Sequence, residues 1–461
     1  MTSTSNIFYQ NYLSLIAQST KLPKVFETNL VNNKLNVVSV LKSNNCLIND
    51  FYHMIYFTDN ILTTSFYFIK ALGFQQIFES GLNTGNNYFC SKVLKNGSII
   101  LEVLSPLSYQ TLDVENMNFS SIKYEQLIAI LAKDFITKHG NGVGLISFES
   151  NWKKSRQIIN KLKVNKYLKS NLEVFNFQEK VPWSSFIVKI DNSGISQLVL
   201  SDIETHFKSK LIYKITKVNE LDDKIIVFEK LDHTVLNVLE GHLNGVSSVM
   251  RELYQLVDFW RPESAIKTNK TGLNTKVVAS RNINSIEKEF YSKCVKFPIN
   301  EPLIIEKTHF GQIKEFLLFN NGPGIQHIAF SCTSIIDTVE YLRSQGHIDF
   351  LEISSNEFSN YYSKVHELLL KSQKKNHEDV VLQNFVAYLL TNFDKIKSLH
   401  ILVEVSAKTE ILLQIFTKPL NGRPCLFLEF IQRFRNQGFG QSNFINLFKS
   451  LDDEQKSRNT L

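Results

Sequence analysis

The sequence repeats itself at intervals of about 90 residues, and this repeat limits the possible folds more than any single motif does. Similar segments begin near residues 51, 142, 231 and 324. The first and third place a histidine, His53 and His233, two to three residues into a strand-like run, and a helix-like stretch follows each run. The second and fourth open on Gly142 and Gly324 and also lead from a strand into a helix. The spacing predicts four βαβββ-like units that pair into two tandem domains.

The boundary between the two domains is expected in a polar stretch of the chain. Residues 1–45 are polar and are interpreted as an N-terminal extension. The first domain is assigned to residues 46–200 and the second to residues 225–461, because polar residues accumulate around 221–224 between them.

Composition and charge exclude several classes of protein. Lysines and arginines number 51 against 44 acidic residues, but the basic residues are scattered, so we expect no nucleic-acid binding. The five cysteines are odd in number and show no CxxC spacing, which argues against a disulfide framework or a cysteine-ligated zinc site. No apolar run reaches the roughly 18 residues of a membrane span. A cytoplasmic protein without a membrane segment is therefore expected.

Three residues of the C-terminal half are candidate metal ligands. His233 and His327 lie near the starts of the third and fourth units, and Glu429 lies within an apolar strand-like run at 426–432. A carboxylate in such a run is costly to bury unless it is paired or bound to a cation. Two imidazoles and one carboxylate are the facial triad of non-haem Fe(II) oxygenases. Taken one at a time, a strand histidine is more often an ordinary core residue, and a strand glutamate more often lies at an edge or faces solvent.

The N-terminal half lacks the same set of ligands. Leu145 occupies the position in the second unit that His327 occupies in the fourth, so we expect one metal site, in the C-terminal half. His53 has a suitable local setting but no partners, and it is interpreted as structural. Six further histidines lie in polar or loop-like contexts and are expected to be exposed: His139, His242, His309, His366, His377 and His400.

Several segments of the chain resemble one enzyme family. The similar segments lie at 298–302, 324–329, 412–419, 423–433 and 437–448, and weaker ones lie at 81–85 and 138–143. Together they resemble the 4-hydroxyphenylpyruvate dioxygenases over roughly residues 48–461. The likeness is dense and specific from Asp232 onward.

The resemblance implies an α+β fold of the vicinal-oxygen-chelate type, which glyoxalase and dihydroxybiphenyl dioxygenase share. It has two tandem domains, each of two βαβββ repeats that form an open barrel, and a C-terminal gating helix. The N-terminal domain would be non-catalytic and the C-terminal domain catalytic. Compared with the family, the segment near 371–399 looks longer than usual, and its apolar spacing predicts an exposed amphipathic helix.

The resemblance also implies an activity. The family converts 4-hydroxyphenylpyruvate, a 2-oxo acid, and O2 to homogentisate and CO2. The reaction combines oxidative decarboxylation, ring hydroxylation and side-chain migration, and it belongs to tyrosine and phenylalanine catabolism. One Fe(II) per chain would be held by His233, His327 and Glu429, and the protein would be a homodimer.

The family's other pocket residues map onto this sequence where the motifs match. Gln312, Gln326 and Gln414 would form a hydrogen-bonding set near the substrate. Asn300 and Thr275 would face the phenol, with Thr275 at a position where the family usually has serine. The remaining substrate-binding residues would be Pro298, Phe416, Phe427, Phe439, Asn443, Phe444 and Leu447.

Two alternatives use the same scaffold. One is a 4-hydroxymandelate synthase, which hydroxylates the benzylic carbon of the same substrate with the same metal; Pro298 and Phe416 match the dioxygenase pattern instead. The other is a non-catalytic binding protein, which the intact set of three ligands disfavours. A glyoxalase-like metal enzyme is less compatible, because a fourth protein ligand is missing.

Overall fold

A computed structural model of the chain describes residues 46–107, 123–176, 186–200, 207, 212–216, 226–262, 264–267, 271–280, 294–305, 311–353, 355–375, 378–406 and 410–458. The expected N-terminal extension, His309 and His377 lie outside these residues.

The N-terminal half forms a curled sheet. Its nine described strands are β1 (Asp50–Phe57), β2 (Gln75–Ser80), β3 (Phe89–Asn96), β4 (Ile99–Pro106), β5 (Gly142–Glu149), β6 (Leu172–Asn176), β7 (Phe186–Ile190), β8 (Ser196–Leu200) and β9 (Lys214–Ile215). They lie in the order β6-β7-β8-β5-β1-β4-β3-β2-β9. The accompanying helices are α1 (Ile61–Leu72), α2 (Tyr124–His139), α3 (Trp152–Val164) and α4 (Lys166–Ser170).

The C-terminal half forms a second curled sheet. Its described strands are β10 (Phe228–Asn237), β11 (Val257–Trp260), β12 (Ile266–Lys267), β13 (Thr271–Ala279), β14 (Lys296–Ile304), β15 (Gly324–Cys332), β16 (Leu402–Val405), β17 (Ile411–Phe416) and β18 (Phe427–Phe434). Their order is β11-β13-β14-β10-β15-β18-β17-β16, and β12 pairs with β13. The helices are α5 (Leu243–Tyr254), α6 (Gln312–Phe319), α7 (Ile335–Gln345), α8 (Ser355–Lys375), α9 (Val380–Thr391), α10 (Phe393–Ser398) and α11 (Gln441–Ser457).

The two sheets are built in the same way. In the first, β1 pairs with β4 and β5 with β8 in parallel, while β1 and β5 are antiparallel neighbours. In the second, β10 and β14, β15 and β18, and β10 and β15 repeat these three relations. A parallel pair needs a crossover connection, which a helix supplies in each unit. The α+β fold of repeated βαβββ units is thus confirmed, with unit starts at Asp50, Gly142, Phe228 and Gly324.

Strand composition explains why these segments are sheet and not helix. The central strands β5, β10 and β15 are buried along most of their length; β5 and β15 are mainly apolar runs, whereas β10 also carries buried polar residues such as Asp232 and His233. Such runs are typical of strands that are covered on both faces. The first sheet also includes β9, which follows residue 200. The division of the chain into domains at 200 and 225 stays a prediction.

The two halves pack through aromatic and polar contacts. Phe74 lies against Phe228 and Phe330, with ring centroids 6.3 Å apart in both pairs. Tyr254 donates a hydrogen bond to Gln197 across the same junction. His139, which the sequence pattern predicts to be exposed, is instead 5% exposed, and its Nδ1 lies 2.6 Å from the Asn320 carbonyl of the other half. The local polarity of its neighbours does not reveal this long-range contact.

Three helices lie between α7 and β16 in the last repeat. They are α8, α9 and α10, and α9 includes most of the predicted amphipathic helix. Val380 and Val381 are exposed, whereas Leu389 is buried and Phe385 stacks on Phe434 at 4.6 Å. The apolar face of α9 is therefore largely covered by the body of the protein. None of the described helices is both long and apolar enough to span a membrane.

Candidate metal centre and adjoining cavity

Strand register brings the three candidate ligands together. Ala329 on β15 pairs with His233 on β10 and with Glu429 on β18, so these residues share one face of the sheet. His327 precedes Ala329 by two residues and points to the same face. The methyl side chain of Ala329 leaves space between the larger side chains.

The three ligand atoms meet in the interior. His233, His327 and Glu429 each offer one donor atom, and these atoms lie within 4.8 Å of one another. Oε2 of Glu429 lies 3.1 Å from His233 Nε2 and 3.3 Å from His327 Nε2. All three residues are at most 3% exposed. Of the groups that the described residues form, this one has the composition and spacing of a metal site.

Neighbouring side chains orient both imidazoles. Nδ1 of His233 lies 2.8 Å from Asp232 Oδ1, and Arg433 holds that carboxylate with two hydrogen bonds of 2.8 Å. Nδ1 of His327 lies 3.2 Å from Gln326 Oε1. Because both partners are acceptors, each Nδ1 donates a proton, and each Nε2 presents a lone pair to the centre.

These lone pairs fit a cation. Two Nε2 atoms and a carboxylate oxygen repel at about 3 Å unless a proton or a metal ion lies between them. Metal-bound histidines usually donate their second N–H to a carboxylate or carbonyl group, as both histidines do here. The donor set therefore fits a divalent metal such as Fe(II), with one carboxylate and two imidazoles.

The charges of the site depend on burial and pairing. Burial raises the pKa of Glu429, but His233 and His327 outweigh burial and lower this pKa to about 2. Burial lowers the pKa of His327, whereas Glu429 and Asp232 outweigh burial at His233 and raise its pKa. Burial also raises the pKa of Asp232, but the nearby Arg433 and Lys296 outweigh burial and hold this pKa well below its usual value. Both carboxylates are therefore anionic at neutral pH.

A cavity of about 410 Å³ opens beside the three ligands. Besides the ligands, its lining includes Val235, Trp260, Thr275, Val277, Pro298, Gln414, Phe416, Phe439 and Leu447. Six of the predicted substrate-binding or polar residues therefore lie with the ligands: Thr275, Pro298, Gln414, Phe416, Phe439 and, on α11, Leu447.

Two polar atoms in this region have no hydrogen-bond partner among the described residues. Thr275 Oγ1 is buried at the cavity wall. Asn300 Oδ1, on the neighbouring strand, is also buried, while its Nδ2 donates to Asn237 at 3.2 Å. Thr275 and Asn300 pair directly across β13 and β14. Buried polar atoms of this kind are suited to a polar group of a ligand.

A second cavity separates some predicted residues from the first. Gln312, Gln326 and Phe427 line a space of about 350 Å³ that does not include the three ligands. Gln326 donates to Gln312 at 3.3 Å, and Phe427 stacks on His327 at 4.8 Å. The structure thus places Gln414 in the first cavity and the other two glutamines in the second.

The C-terminal helix contributes two of the predicted residues to the region. Asn443 is buried and donates to Gln414 at 3.0 Å, but it does not line the first cavity. Leu447, one helical turn further, does line it. The side chain of Phe444 lies outside the described residues.

Residues that sequence reasoning missed complete the site. Trp260, Val235 and Val277 line the first cavity. Asp232 and Arg433 orient His233, although 201 positions separate them in the sequence. The acidic residue directly before His233 was the one available signal, since histidine ligands commonly have a carboxylate partner.

Proteins of similar sequence point to one enzyme family. A 4-hydroxyphenylpyruvate dioxygenase from Dictyostelium discoideum is 29% identical over 418 residues, which cover 89% of this chain and 99% of that protein. The enzyme of the same name from Sus scrofa is 27% identical over 423 residues, 89% of this chain and 92% of that protein. This chain is a homologue of the 4-hydroxyphenylpyruvate dioxygenases. A third such enzyme, from Caenorhabditis briggsae, is 36% identical over 232 residues, half of this chain.

Solved structures share the fold of this chain. A mutant 4-hydroxymandelate synthase from Streptomyces coelicolor superposes with a TM-score of 0.63 at 18% identity, covering 88% of this chain and 99% of that one. A fusion of a xylose isomerase-like TIM barrel and 4-hydroxyphenylpyruvate dioxygenase gives 0.57 at 14% identity, covering 98% of this chain and 58% of that one. No family model matches the chain.

Proposed function

We propose that this chain is an Fe(II)-dependent dioxygenase that converts 4-hydroxyphenylpyruvate and O2 to homogentisate and CO2. The observation that supports this best is the convergence of His233, His327 and Glu429 at the edge of a cavity, in a homologue of enzymes of that name. The set leaves coordination positions for a substrate and O2, because it has only three protein ligands.

His233, His327 and Glu429 would hold the metal. When bound there, Fe(II) supplies O2 activation and a chelating centre for the 2-oxo acid. Asp232 keeps the Nδ1 proton on His233, and Gln414 donates to Glu429 Oε1 at 2.8 Å, which leaves Oε2 toward the histidines. The hydrogen bonds from these neighbouring residues thus set which atom of each ligand would face the metal.

The cavity wall would bind the aromatic ring of the substrate. Phe416 and Phe439 flank the metal centre, with ring centroids 5.8 Å from His327 and 5.1 Å from His233, respectively. Pro298 lies on the same wall. These side chains orient the ring by apolar contact and exclude water from the reacting atoms.

Two polar groups would receive the phenol. Thr275 Oγ1 and Asn300 Oδ1 are buried and lack partners in the described part of the chain, so a phenolic hydroxyl offers each a hydrogen bond. The methyl group of Thr275 narrows this end of the pocket compared with serine. Gln312 and Gln326 would act on the site through His327, whose Nδ1 contacts Gln326.

The C-terminal helix α11 would close the cavity. Leu447 covers it directly, and Asn443 holds Gln414. Phe427 would stabilise His327 by stacking, and Phe444 is a candidate substrate contact. Closure by such an element keeps water out during the reaction.

Product identification tests the proposal. Purified protein supplied with Fe(II), ascorbate, O2 and 4-hydroxyphenylpyruvate should consume O2 and release homogentisate. Formation of 4-hydroxymandelate without homogentisate would assign the chain to the synthase instead. Absence of turnover with bound Fe(II) would support a non-catalytic binding protein.

We also infer the surroundings of the enzyme. A homodimer in the cytoplasm, acting in tyrosine and phenylalanine breakdown, is the setting proposed for this activity. The proposed organisation is an N-terminal domain over 46–200 that binds no metal and a catalytic domain over 225–461. Size-exclusion chromatography with light scattering measures the oligomeric state.

A further inference from the structure

A tyrosine outside the cavity connects helix α8 to the metal site. The Tyr361 hydroxyl lies 3.1 Å from Asn443 Oδ1 on α11. The same hydroxyl accepts a hydrogen bond of 2.7 Å from the Val403 amide and lies 3.1 Å from the Val403 carbonyl. The backbone of β16 therefore holds the hydroxyl in place beside Asn443.

From Asn443 the hydrogen bonds continue inward. Asn443 Nδ2 donates to Gln414 Oε1 at 3.0 Å, and Gln414 Nε2 donates to Glu429 Oε1 at 2.8 Å. Asn443, Gln414 and Glu429 are each at most 3% exposed, so water does not substitute for these bonds. Four side chains thus form one series from α8 to the carboxylate ligand.

The direction of this series is fixed by its donors. Glu429 Oε1 accepts a hydrogen bond from Gln414 Nε2, so Gln414 turns its oxygen toward Asn443. Asn443 then turns its NH2 toward Gln414, and its oxygen needs a donor on the other side. Tyr361 O–H is that donor, and it shares its one proton between Asn443 Oδ1 and the Val403 carbonyl, each 3.1 Å away. Burial raises the pKa of Tyr361, so the proton stays on the hydroxyl.

We propose that Tyr361 is a positioning residue for the metal and substrate site, acting through Asn443 and Gln414. Its hydroxyl prevents a 180° flip of the Asn443 amide, which would set two oxygens against each other at Gln414. Loss of the hydroxyl lets Gln414 turn away from Glu429 Oε1 and loosens the carboxylate. This inference rests on the proposed function of the site.

Helix α8 contacts α11 at a second point. Glu357 forms an ion pair with Lys449. Glu357 lies one turn before Tyr361 on α8, and Lys449 lies more than one turn beyond Asn443 on α11. Just before α8, the Glu352 carbonyl accepts a bond of 2.9 Å from Ser450. These contacts hold the two helices in register, so the distance from Tyr361 to Asn443 does not depend on one hydrogen bond.

The adjacent tyrosine provides a matched control. Tyr362 is buried on α8, where Tyr361 is partly buried, and the Tyr362 hydroxyl lies 3.1 Å from the Ile401 carbonyl and 3.5 Å from the Ile396 carbonyl. Its hydroxyl has no hydrogen bond to α11 among the described residues. Tyr361→Phe and Tyr362→Phe each remove one buried hydroxyl and keep the ring.

The experiment compares these two variants by titration of apo-protein with Fe(II) alone, without substrate, and by steady-state kinetics. Tyr361→Phe should bind Fe(II) about tenfold more weakly and should lower kcat. Tenfold is at the low end of the loss in metal affinity that follows removal of a residue hydrogen-bonded to a ligand. Tyr362→Phe should match wild type in both. Both variants should melt at similar temperatures, which separates positioning from a loss of stability. Equal Fe(II) affinity in Tyr361→Phe and wild type would overturn the inference.

A double variant tests the route. Asn443→Ala should weaken Fe(II) binding at least as much as Tyr361→Phe, and the combined variant should be no weaker than Asn443→Ala alone. Losses that multiply in the combined variant would show that Tyr361 does not act through Asn443 and would contradict the inference. Wild-type protein that binds Fe(II) but does not turn over substrate would instead contradict the proposed function, while the titrations would still decide on Tyr361.

Discussion

At the position of His327, the N-terminal sheet has Leu145, and at the position of Glu429 it has Leu198. The registers establish this equivalence: Leu145 pairs with Ile55 as His327 pairs with Val235, and Leu198 pairs with Ser147 as Glu429 pairs with Ala329. Both leucines are fully buried. The same strand arrangement therefore surrounds an apolar core in one half and a polar centre in the other.

The third position is a histidine in both halves, but its surroundings differ. His53 is buried with its Nδ1 at the Ser147 hydroxyl and its Nε2 3.8 Å from Glu102 Oε2. His233 has Asp232 behind it and Glu429 in front. The structural role expected for His53 agrees with these contacts, since a histidine alone does not make a ligand set.

The interiors differ because of side-chain size as well as polarity. A Cβ on Gly144 would lie within 2.7 Å of atoms of Phe57 and Phe135, so aromatic rings fill the space there. The corresponding residue in the C-terminal half is Gln326, whose side chain lines the second cavity. One half gains stability from a filled interior, and the other leaves room for a ligand.

Glu429→Ala should have the largest effect. Removal of the only carboxylate of the ligand set should weaken Fe(II) binding by more than the roughly 100-fold that loss of an outer partner costs, and turnover should disappear. Metal content after gel filtration measures this. The equivalent change in the other half, Leu198→Ala, should lower stability by about 2–5 kcal/mol and leave one Fe(II) bound. Retention of full metal content in Glu429→Ala would contradict a metal site that is formed by the C-terminal half alone.

Asp232→Asn should have the next largest effect. An amide accepts a weaker hydrogen bond from His233 Nδ1 and loses its charge pairing with Arg433, so Fe(II) affinity should fall about 10–100-fold. Glu102→Gln, a buried carboxylate near His53, is the matched change in the N-terminal half and should leave Fe(II) affinity unaltered. Calorimetric titration with Fe(II) measures both. Equal affinity losses in the two variants would contradict the assignment of the site to one half.

Gly440→Ala should have a smaller effect on the site. Gly440 precedes α11 with a φ of 67°, and a Cβ there would collide with Gln414 Oε1. Gly346 has nearly the same φ, 66°, with no atom near its Cβ position. Both alanine variants should lose about 1–2 kcal/mol of stability, but only Gly440→Ala should lower kcat, by about tenfold. Equal kcat values in the two variants would show that Gln414 tolerates displacement.

His139 should affect stability and not the metal site. Burial lowers its pKa to about 4, below the unfolded value of 6.5, so the unfolded chain takes up a proton first as the pH falls. Stability should therefore decrease from pH 6.5 toward pH 4, by about 2 kcal/mol at pH 5. His139→Gln should remove this part of the pH dependence in urea unfolding. The same pH dependence in both proteins would contradict a buried neutral His139 at the junction of the halves.

The sequence predicts the fold well because the repeat is a local signal. Strand and helix patterns recur in all four units. When the starts of the units are aligned, the sequence also shows Leu145 at the position that His327 occupies in the fourth unit. The three candidate ligands are less certain from the residues alone: the carboxylate in an apolar strand is unusual, but each histidine by itself fits ordinary core packing, and the family resemblance is what joins the three. The C-terminal helix that the resemblance implies is present at Gln441–Ser457.

Contacts between distant segments are not predictable in the same way. Tyr361 meets Asn443 across 82 residues, and His139 meets Asn320 across 181. Neither pair has a local sequence signature. The separation of Gln312 and Gln326 from Gln414 also depends on side-chain direction, because Phe427 and His327 stack between the two cavities.

The most direct test of the account is to make the C-terminal half resemble the N-terminal half at one position. His327→Leu copies the residue that occupies the equivalent site in the first sheet. Wild-type protein titrated with Fe(II) should bind one equivalent per chain, and folded His327→Leu protein should bind none that survives gel filtration. One equivalent of Fe(II) retained by His327→Leu, or two bound by wild type, would contradict a single metal centre at His233, His327 and Glu429.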